Sequence, residues 1–369
     1  MNDLEIIFGA LLFIHAALLV VIIYNFFTAP KLVDKKYIPD CEPKVSVLIP
    51  VRNEESNIGN CLDSIFQSSY RNYEVKVLDD FSTDSTIDKV KIFQERYENL
   101  ELVQGEQLPD GWSGKNWACH QLAARSNGEY LLFLDADIFI NNAAIKSAVA
   151  EFQSKKVKML SIFPTQKIKS WGEWLIVPMM DWLLLTFLPL NSVYKASHAS
   201  LAAANGQFIL FDKESYFSFG GHEKIKSKVV EDMEFARGFK QNGFKVITFL
   251  GNNLVNCRMY RDFNESLNGF SKNFYPGFNI SGAAFFLLIL LLFTLFIFPF
   301  SLIYFDILFI AIAGLIFTER IFISSLSKQN QLKNIILFLP QIFMLIIIGI
   351  KSLIDNKRKK VTWKGRNIK

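Results

Sequence analysis

Leu131-Leu132-Phe133-Leu134-Asp135-Ala136-Asp137-Ile138-Phe139 is the stretch on which the reading of the chain turns. Four consecutive apolar residues read as a strand buried on both faces, and such strands end where polar chemistry reaches solvent. Two carboxylates, Asp135 and Asp137, come next at i and i+2. Hard oxygen ligands at that spacing, on a bend leaving a strand, suit Mg²⁺ or Mn²⁺ held together with a substrate diphosphate. An isolated Asp-x-Asp is commonly a pair of solvated loop acids, so the weight falls on what surrounds it.

Upstream, Val45-Ser46-Val47-Leu48-Ile49-Pro50 reads as a strand that stops at proline, with residues 51–56 opening a helix through Ile58, Leu62, Ile65 and Phe66. Glu74-Val75-Lys76-Val77-Leu78 is a second strand, ending in Asp79-Asp80-Phe81-Ser82-Thr83-Asp84. Ser82 or Asp84 is placed to cap the helix carrying Ile87, Val90 and Ile92. Leu100-Glu101-Leu102-Val103 is a third strand, and Gly111-Trp112-Ser113-Gly114-Lys115-Asn116-Trp117 is a loop entering a helix over 118–125. Strands alternating with helices imply a largely parallel α/β sheet whose ligands sit beyond the carboxyl ends of the strands. The polar clusters fall at those ends.

Downstream, residues 199–206 are small and tight, and Gln207-Phe208-Ile209-Leu210-Phe211 returns to strand. Gly220-Gly221-His222 is a turn, Glu231-Asp232 opens a helix, and a strand at 245–249 leads toward Cys257-Arg258-Met259. The Trp-rich stretch 171–193, broken by Pro178, Asp181 and Pro189, reads either as an interfacial or groove-lining helix or as buried core.

The chain has 369 residues, enough for one sizeable soluble domain and more. A hydrophobic content of 51%, with 36 Phe, exceeds what a soluble domain needs, and the excess lies at the two ends. Residues 4–27 are long and apolar enough to span a bilayer. Asp3 and Glu5, in place of lysines, argue against a signal peptide. Lys31, Lys35 and Lys36 put the domain after them in the cytoplasm by the positive-inside rule. Further apolar segments lie at 283–304, 307–325 and 335–354. Pro340-Gln341 interrupts the last, which is expected to dip into the membrane or lie at its surface. The basic run Lys357-Arg358-Lys359-Lys360 then stays cytosolic. The expected organisation is a membrane helix at 1–30, a linker at 31–43, a catalytic domain at 44–261, an interfacial segment at 262–281, membrane segments at 282–355 and a cytosolic tail at 356–369. A net charge of +5 does not describe a dedicated nucleic-acid binder, and it is compatible with an anionic membrane surface. Cys41, Cys61, Cys119 and Cys257 form no C-x-x-C pair, which argues against zinc and disulfides and fits a reducing cytosol.

Asp79-Asp80, Asp135-x-Asp137, Glu231-Asp232 and the arginine of Arg258-Met259-Tyr260 together are what a nucleotide-sugar transferase needs. Such an enzyme binds a nucleoside, offsets charge on a diphosphate and deprotonates an acceptor. Pro50-Val51-Arg52-Asn53-Glu54-Glu55, Asp79-Asp80-x-Ser82-Thr83-Asp84, Gly111-Trp112-x-Gly114-Lys115, Asp135-Ala136-Asp137, Gly220-Gly221-His222 and Glu231-Asp232 resemble a family 2 glycosyltransferase with a GT-A catalytic domain. The resemblance covers roughly 44–261, and Trp363-Lys364-Gly365-Arg366 extends it to the tail. Within the family it points to the membrane-bound, lipid-glycosylating branch, particularly carotenoid (diaponeurosporenoate-type) and hopanoid-associated glycosyltransferases. It implies that Pro50, Arg52, Glu54 and Asp80 cradle the nucleobase, that Asp135 touches ribose or sugar, and that Asp137 binds the metal. Lys115 then lies near the donor phosphates or sugar, Arg258 contributes to the phosphate, and Asp232, with Glu231 beside it, is the catalytic base.

One departure matters. Processive synthases of the family carry Gln-x-x-Arg-Trp where this chain has Val255-Asn256-Cys257-Arg258-Met259. The resemblance therefore implies an inverting transfer of a single hexose from a UDP-sugar, with UDP-glucose the expected donor, to a hydroxyl or carboxylate of a membrane lipid. A processive synthase and a non-catalytic nucleotide-binding scaffold are the alternatives.

Overall fold

The computed structural model describes residues 3–35, 42–358, 362–363 and 366–367, with backbone alone for the last four. Lys36, Cys41, Lys359, Lys360, Lys364 and Gly365, named in the sequence analysis, lie outside the described residues. The chain divides into two compact units. One comprises Pro30–Thr165, Asn191–Arg258 and Thr362–Lys369; the other comprises Met1–Ala29, Gln166–Leu190 and Met259–Val361. The block expected over 44–261 is thus interrupted by a segment that packs with the apolar helices.

The strands are β1 (Val45–Val51), β2 (Tyr73–Asp79), β3 (Leu100–Gln104), β4 (Tyr130–Leu134), β5 (Ile138–Ile140), β6 (Met159–Phe163), β7 (Thr165–Gln166), β8 (Phe208–Asp212), β9 (Val246–Leu250) and β10 (Val255–Cys257). Seven of them form one sheet in the order β3-β2-β1-β4-β8-β6-β9, and β5-β10-β7 form a smaller one. The large sheet is parallel except for β8, which runs antiparallel to β4 and β6. That single reversal brings the start of β8 to the end of β4, with Leu134 opposite Phe208.

Three local expectations are corrected. β1 does not stop at Pro50 but continues through it to Val51. Pairing with β4 has already ended at Leu48, so the missing proline N–H breaks no bond on that side. The helix Thr86–Gln94 has Ser85, not Ser82 or Asp84, at its N-cap position, without a side-chain cap. Asp84 instead accepts from the Thr86 N–H at 3.0 Å and from the Glu55 N–H at 3.1 Å, tying two loops together. The helix after the Gly111–Asn116 region begins earlier than expected, at Gly114, where the Ser113 hydroxyl accepts the Asn116 N–H.

In the second unit, four helices are long and apolar enough to cross a membrane: Asp3–Thr28, Gly282–Leu302, Phe309–Leu326 and Phe338–Lys357. The expected break falls not at Pro340 but three residues earlier, at Leu337, between the helices Gln331–Ile336 and Phe338–Lys357. Pro340 sits in the first turn of Phe338–Lys357, where a helix has no use for its N–H. The stretch 171–193 forms the helices Trp171–Ile176 and Pro178–Phe187. Trp174 and Trp182 are buried, with Trp182 edge-on to Phe296 at 4.8 Å, so the buried-core alternative describes them. Trp171 is exposed. The segment expected at the interface is the helix Phe263–Phe278. Asn25, fully buried, donates to the carbonyls of Leu185 and Leu188 and accepts the Leu190 N–H, all at 2.8–2.9 Å. Arg320, also fully buried, donates to Asn334 and Gln341.

Candidate active site

Lys115 stands one residue into its helix, and its Nζ lies 2.9 Å from Asp135 Oδ1 and 2.9 Å from Glu231 Oε1. One ammonium thereby joins the end of β4 to the start of the helix Glu231–Gln241. Burial would lower the Lys115 pKa, but Asp135 and Glu231 together hold it well above the ordinary lysine range. Asp232 faces the same point. Its Oδ2 accepts the Gly206 N–H at 2.8 Å and its Oδ1 the Met233 N–H at 2.7 Å. At Gly206 the site leaves no room for a side chain. A Cβ there would meet Glu231 Oε1 at 3.1 Å, Lys115 Nζ at 3.3 Å and Asp232 Oδ2 at 3.5 Å. The cavity at this point is walled by Pro50, Phe133, Gly206 and Phe235, with Lys115, Asp135 and Glu231 in its lining.

Asp137 lies on the neighbouring face of the bend. Its Oδ2 accepts from Gln207 Nε2 at 3.0 Å, while its Oδ1 is buried without a partner. The same amide donates to Cys257 Sγ at 3.0 Å. Cys257 is there because β10 pairs antiparallel with β5, setting Cys257 opposite Ile138. Burial, then Asp135 and Glu54, pushes the Asp137 carboxyl up to about 7, and burial, then Glu231, pushes Asp232 to about 7. Acids so crowded around a shared ammonium leave net negative charge where a diphosphate is expected. Among the described residues no three acid, His or Cys side chains converge to hold a metal ion unaided. The donor set nonetheless fits a hard divalent ion: Asp137 keeps a buried, partnerless carboxylate oxygen two residues from Asp135, although Asp137 itself is not in the cavity lining.

Arg52, Glu54 and Asp80 form an adjoining pair of loops beyond β1 and β2, outside the cavity lining. Arg52 Nη1 donates to the Asp80 carbonyl and lies 3.9 Å from the Asp80 carboxylate. The Glu54 N–H donates to Thr86 Oγ1 at 2.8 Å. Asn53 and Phe81, one on each loop, take left-handed φ values of 52° and 56°. For a bulky residue such as Phe81 that conformation is costly and concentrates at binding loops. Arg258 directly follows β10 and is not in the cavity lining. His222 is not a solvated turn residue but is buried. Its Nδ1 lies 2.7 Å from the Tyr216 hydroxyl, its ring is edge-on to Phe133, and burial holds its pKa well below the usual range. It supports the wall as a neutral ring.

Gly206, Gln207 and Cys257 are not among the sequence candidates. The only local sign of the first two is a small-residue turn ahead of a strand.

Residues 46–196 match the family described as glycosyl transferase family 2. The chain is 29% identical over 250 residues to a 4,4'-diaponeurosporenoate glycosyltransferase of Staphylococcus haemolyticus, covering 66% of this chain and 64% of that protein. It is 28% identical over 240 residues to the protein of the same name in Staphylococcus aureus strain USA300, covering 63% and 61%. The matches thus span just under two thirds of these relatives' length. Among solved structures, a mannosyltransferase from Pyrobaculum calidifontis, in complex with GDP-Man and Mn²⁺, shares the fold with a TM-score of 0.56. That likeness has 16% identity and covers 95% of this chain and 99% of the other. The sheet order, the acids at its carboxyl edge and the match over 46–196 agree: the fold is of the GT-A kind, and residues 46–196 carry a glycosyl transferase family 2 domain.

Proposed function

We propose that the protein transfers one hexosyl group from a UDP-sugar, UDP-glucose first among candidates, to a lipid acceptor with inversion at the anomeric carbon. The observation that carries this reading is Asp232, fixed by two backbone N–H groups and held at a pKa of about 7 beside the Lys115–Asp135–Glu231 cluster. A base poised near neutral pH, beside a cavity, is what deprotonating a hydroxyl requires. The acceptor oxygen attacks the anomeric carbon, its proton passes to an Asp232 oxygen, and the bond to the diphosphate breaks with its electron pair leaving on the nucleotide. Lys115, pinned by Asp135 and Glu231, holds positive charge at the cavity without rotamer freedom. The loops of Arg52, Glu54 and Asp80 bind the nucleoside, and Arg258 assists with phosphate. Asp137 holds Mg²⁺ or Mn²⁺, which, when bound, neutralises the diphosphate. The diaponeurosporenoate name of the relatives points to a carotenoid carboxylate as one acceptor class.

The protein belongs, on this proposal, in the cell membrane as a multi-pass protein with the family 2 domain cytosolic. The four apolar helices and the lysines after the first support that placement. The processive alternative is disfavoured by Met259 in place of the tryptophan of Gln-x-x-Arg-Trp.

The test is to incubate the purified chain with Mn²⁺, a panel of labelled UDP-sugars and GDP-mannose, and extracted membrane lipids, and to weigh the labelled lipid. A single added hexose supports the proposal; a ladder of sugars, or no transfer from any UDP-sugar, refutes it. Asp232→Asn separates the acceptors. It abolishes transfer to an alcohol but only weakens transfer to a carboxylate, which is already ionised and needs no base.

A further inference from the structure

Gln207 sits at the mouth of β8, 6% exposed, with both N–H groups committed: one to Asp137 Oδ2 and one to Cys257 Sγ, each at 3.0 Å. A carboxylate has only acceptors, so the amide nitrogen must be the atom that faces it. The Asp137 carboxylate and the Cys257 thiol thus share one amide nitrogen. Around that shared amide two oxygens, Asp137 Oδ1 and Gln207 Oε1, remain buried without partners. Buried acceptors left open in this way call for a cation or a donor that arrives with the substrate. The same amide also sets a completely buried thiol beside a carboxylate read here as the metal ligand. Sulfur beside such a ligand would favour soft ions, whereas carboxylate and amide oxygens favour Mg²⁺ and Mn²⁺.

We propose that Gln207 presents Asp137 to the divalent ion through Oδ1 alone and, by occupying the Cys257 sulfur, keeps the site selective for hard ions. It is a positioning and selectivity residue, acting through Asp137. The proposal rests on the reading of Asp137 as the metal ligand, and the experiment separates the two. Mn²⁺ binding to the full chain in detergent, with UDP present, is followed from the spectrum of free Mn²⁺ in electron paramagnetic resonance. Cd²⁺ binding is followed from the ultraviolet thiolate-to-metal charge-transfer band. Wild type is expected to bind Mn²⁺, to lose it in Asp137→Ala, and to show no Cd²⁺ band. Gln207→Met, close in size but without donors, is expected to bind Mn²⁺ about 10- to 100-fold more weakly, the usual cost of losing a partner of a ligand. It is also expected to gain a Cd²⁺ band that disappears in the Gln207→Met/Cys257→Ser double variant. Gln207→Glu, which keeps the length and loses both N–H groups, is expected to gain the same band, so misfolding of one variant does not decide the matter. Wild-type Mn²⁺ affinity in Gln207→Met, no Cd²⁺ band in either variant, or a Cd²⁺ band in wild type overturns the role of Gln207 while leaving Asp137 in place. Absence of Mn²⁺ binding to wild type overturns both.

Discussion

Gly206→Ala isolates the geometry of the site from the stability of the fold. Gly206 does not occupy the left-handed region, so alanine is free to take its backbone conformation. The new methyl would sit 3.1 Å from Glu231 Oε1 and 3.3 Å from Lys115 Nζ, where ordinary contact begins near 3.4 Å. The shortfall is about 0.3 Å against the carboxylate and about 0.1 Å against the ammonium, both flexible side-chain ends. Relief comes by moving Glu231 and, through the shared 2.9 Å pair, Lys115, while Asp232 stays bound to the Gly206 N–H. Folding should change little, since alanine also removes about 0.4–1 kcal/mol of unfolded-chain freedom. Catalysis should suffer more. Misplacement by 1 Å costs about 100-fold, so a few tenths of an ångström should cost about 3- to 10-fold in kcat, or about 1 kcal/mol. Single-turnover transfer from UDP-glucose, with the thermal midpoint measured in parallel, checks this. Unchanged kcat in a folded variant would refute the claim that the missing side chain at Gly206 serves the chemistry, as would a loss of kcat matched by a collapse in stability.

The same geometry sets further expectations. The kcat/KM for an alcohol acceptor should rise through about pH 7 as Asp232 loses its proton, because the deprotonated form is the base; a flat profile counts against Asp232. Asp137→Asn should abolish metal-dependent turnover yet raise the thermal midpoint of the metal-free protein. The folded Asp137 pKa, about 7, lies above the unfolded value, so its charge costs stability that grows as pH rises from about 4 and is complete above 7. The gain should therefore be larger at pH 8 than at pH 5, and equal shifts at both would sink the argument. Asn25→Leu strips partners from three backbone groups in the apolar unit and should lower stability in detergent by about 3 kcal/mol or more, read from thermal unfolding. A cysteine at Asn367 should resist impermeant reagents added outside intact cells; labelling there would put the tail on the wrong face for a cytosolic reading.

Much of the fold and site is legible from local pattern. Apolar runs such as Leu131-Leu132-Phe133-Leu134 mark buried strands, and the acids Asp135, Asp137, Glu231 and Asp232 with Lys115 stand at element ends, where solvent chemistry belongs. What local pattern does not carry is which distant strand lies beside which. The reversal of β8 and the pairing of β10 with β5 join residues about 80 and about 120 positions apart, and they alone deliver Gly206, Gln207 and Cys257 to the acids. The two prolines mislead for a related reason. A missing N–H usually costs a bond, so Pro50 reads as a stop and Pro340 as a break, but each sits where that bond has no partner to lose.

The reversed strand also has a kinetic consequence. β1, β2, β3 and β4 join to one another through short crossovers and can pair as soon as that length of chain exists, whereas β8 must close a long loop before it seats between β4 and β6. Until it does, Lys115 and Asp135 are in place but Asp232 has no Gly206 amide and Asp137 no Gln207. On the proposed roles, the nucleotide loops would be in place before the base. If the proposed roles hold, a partly folded molecule would bind nucleotide without yet being able to activate an acceptor.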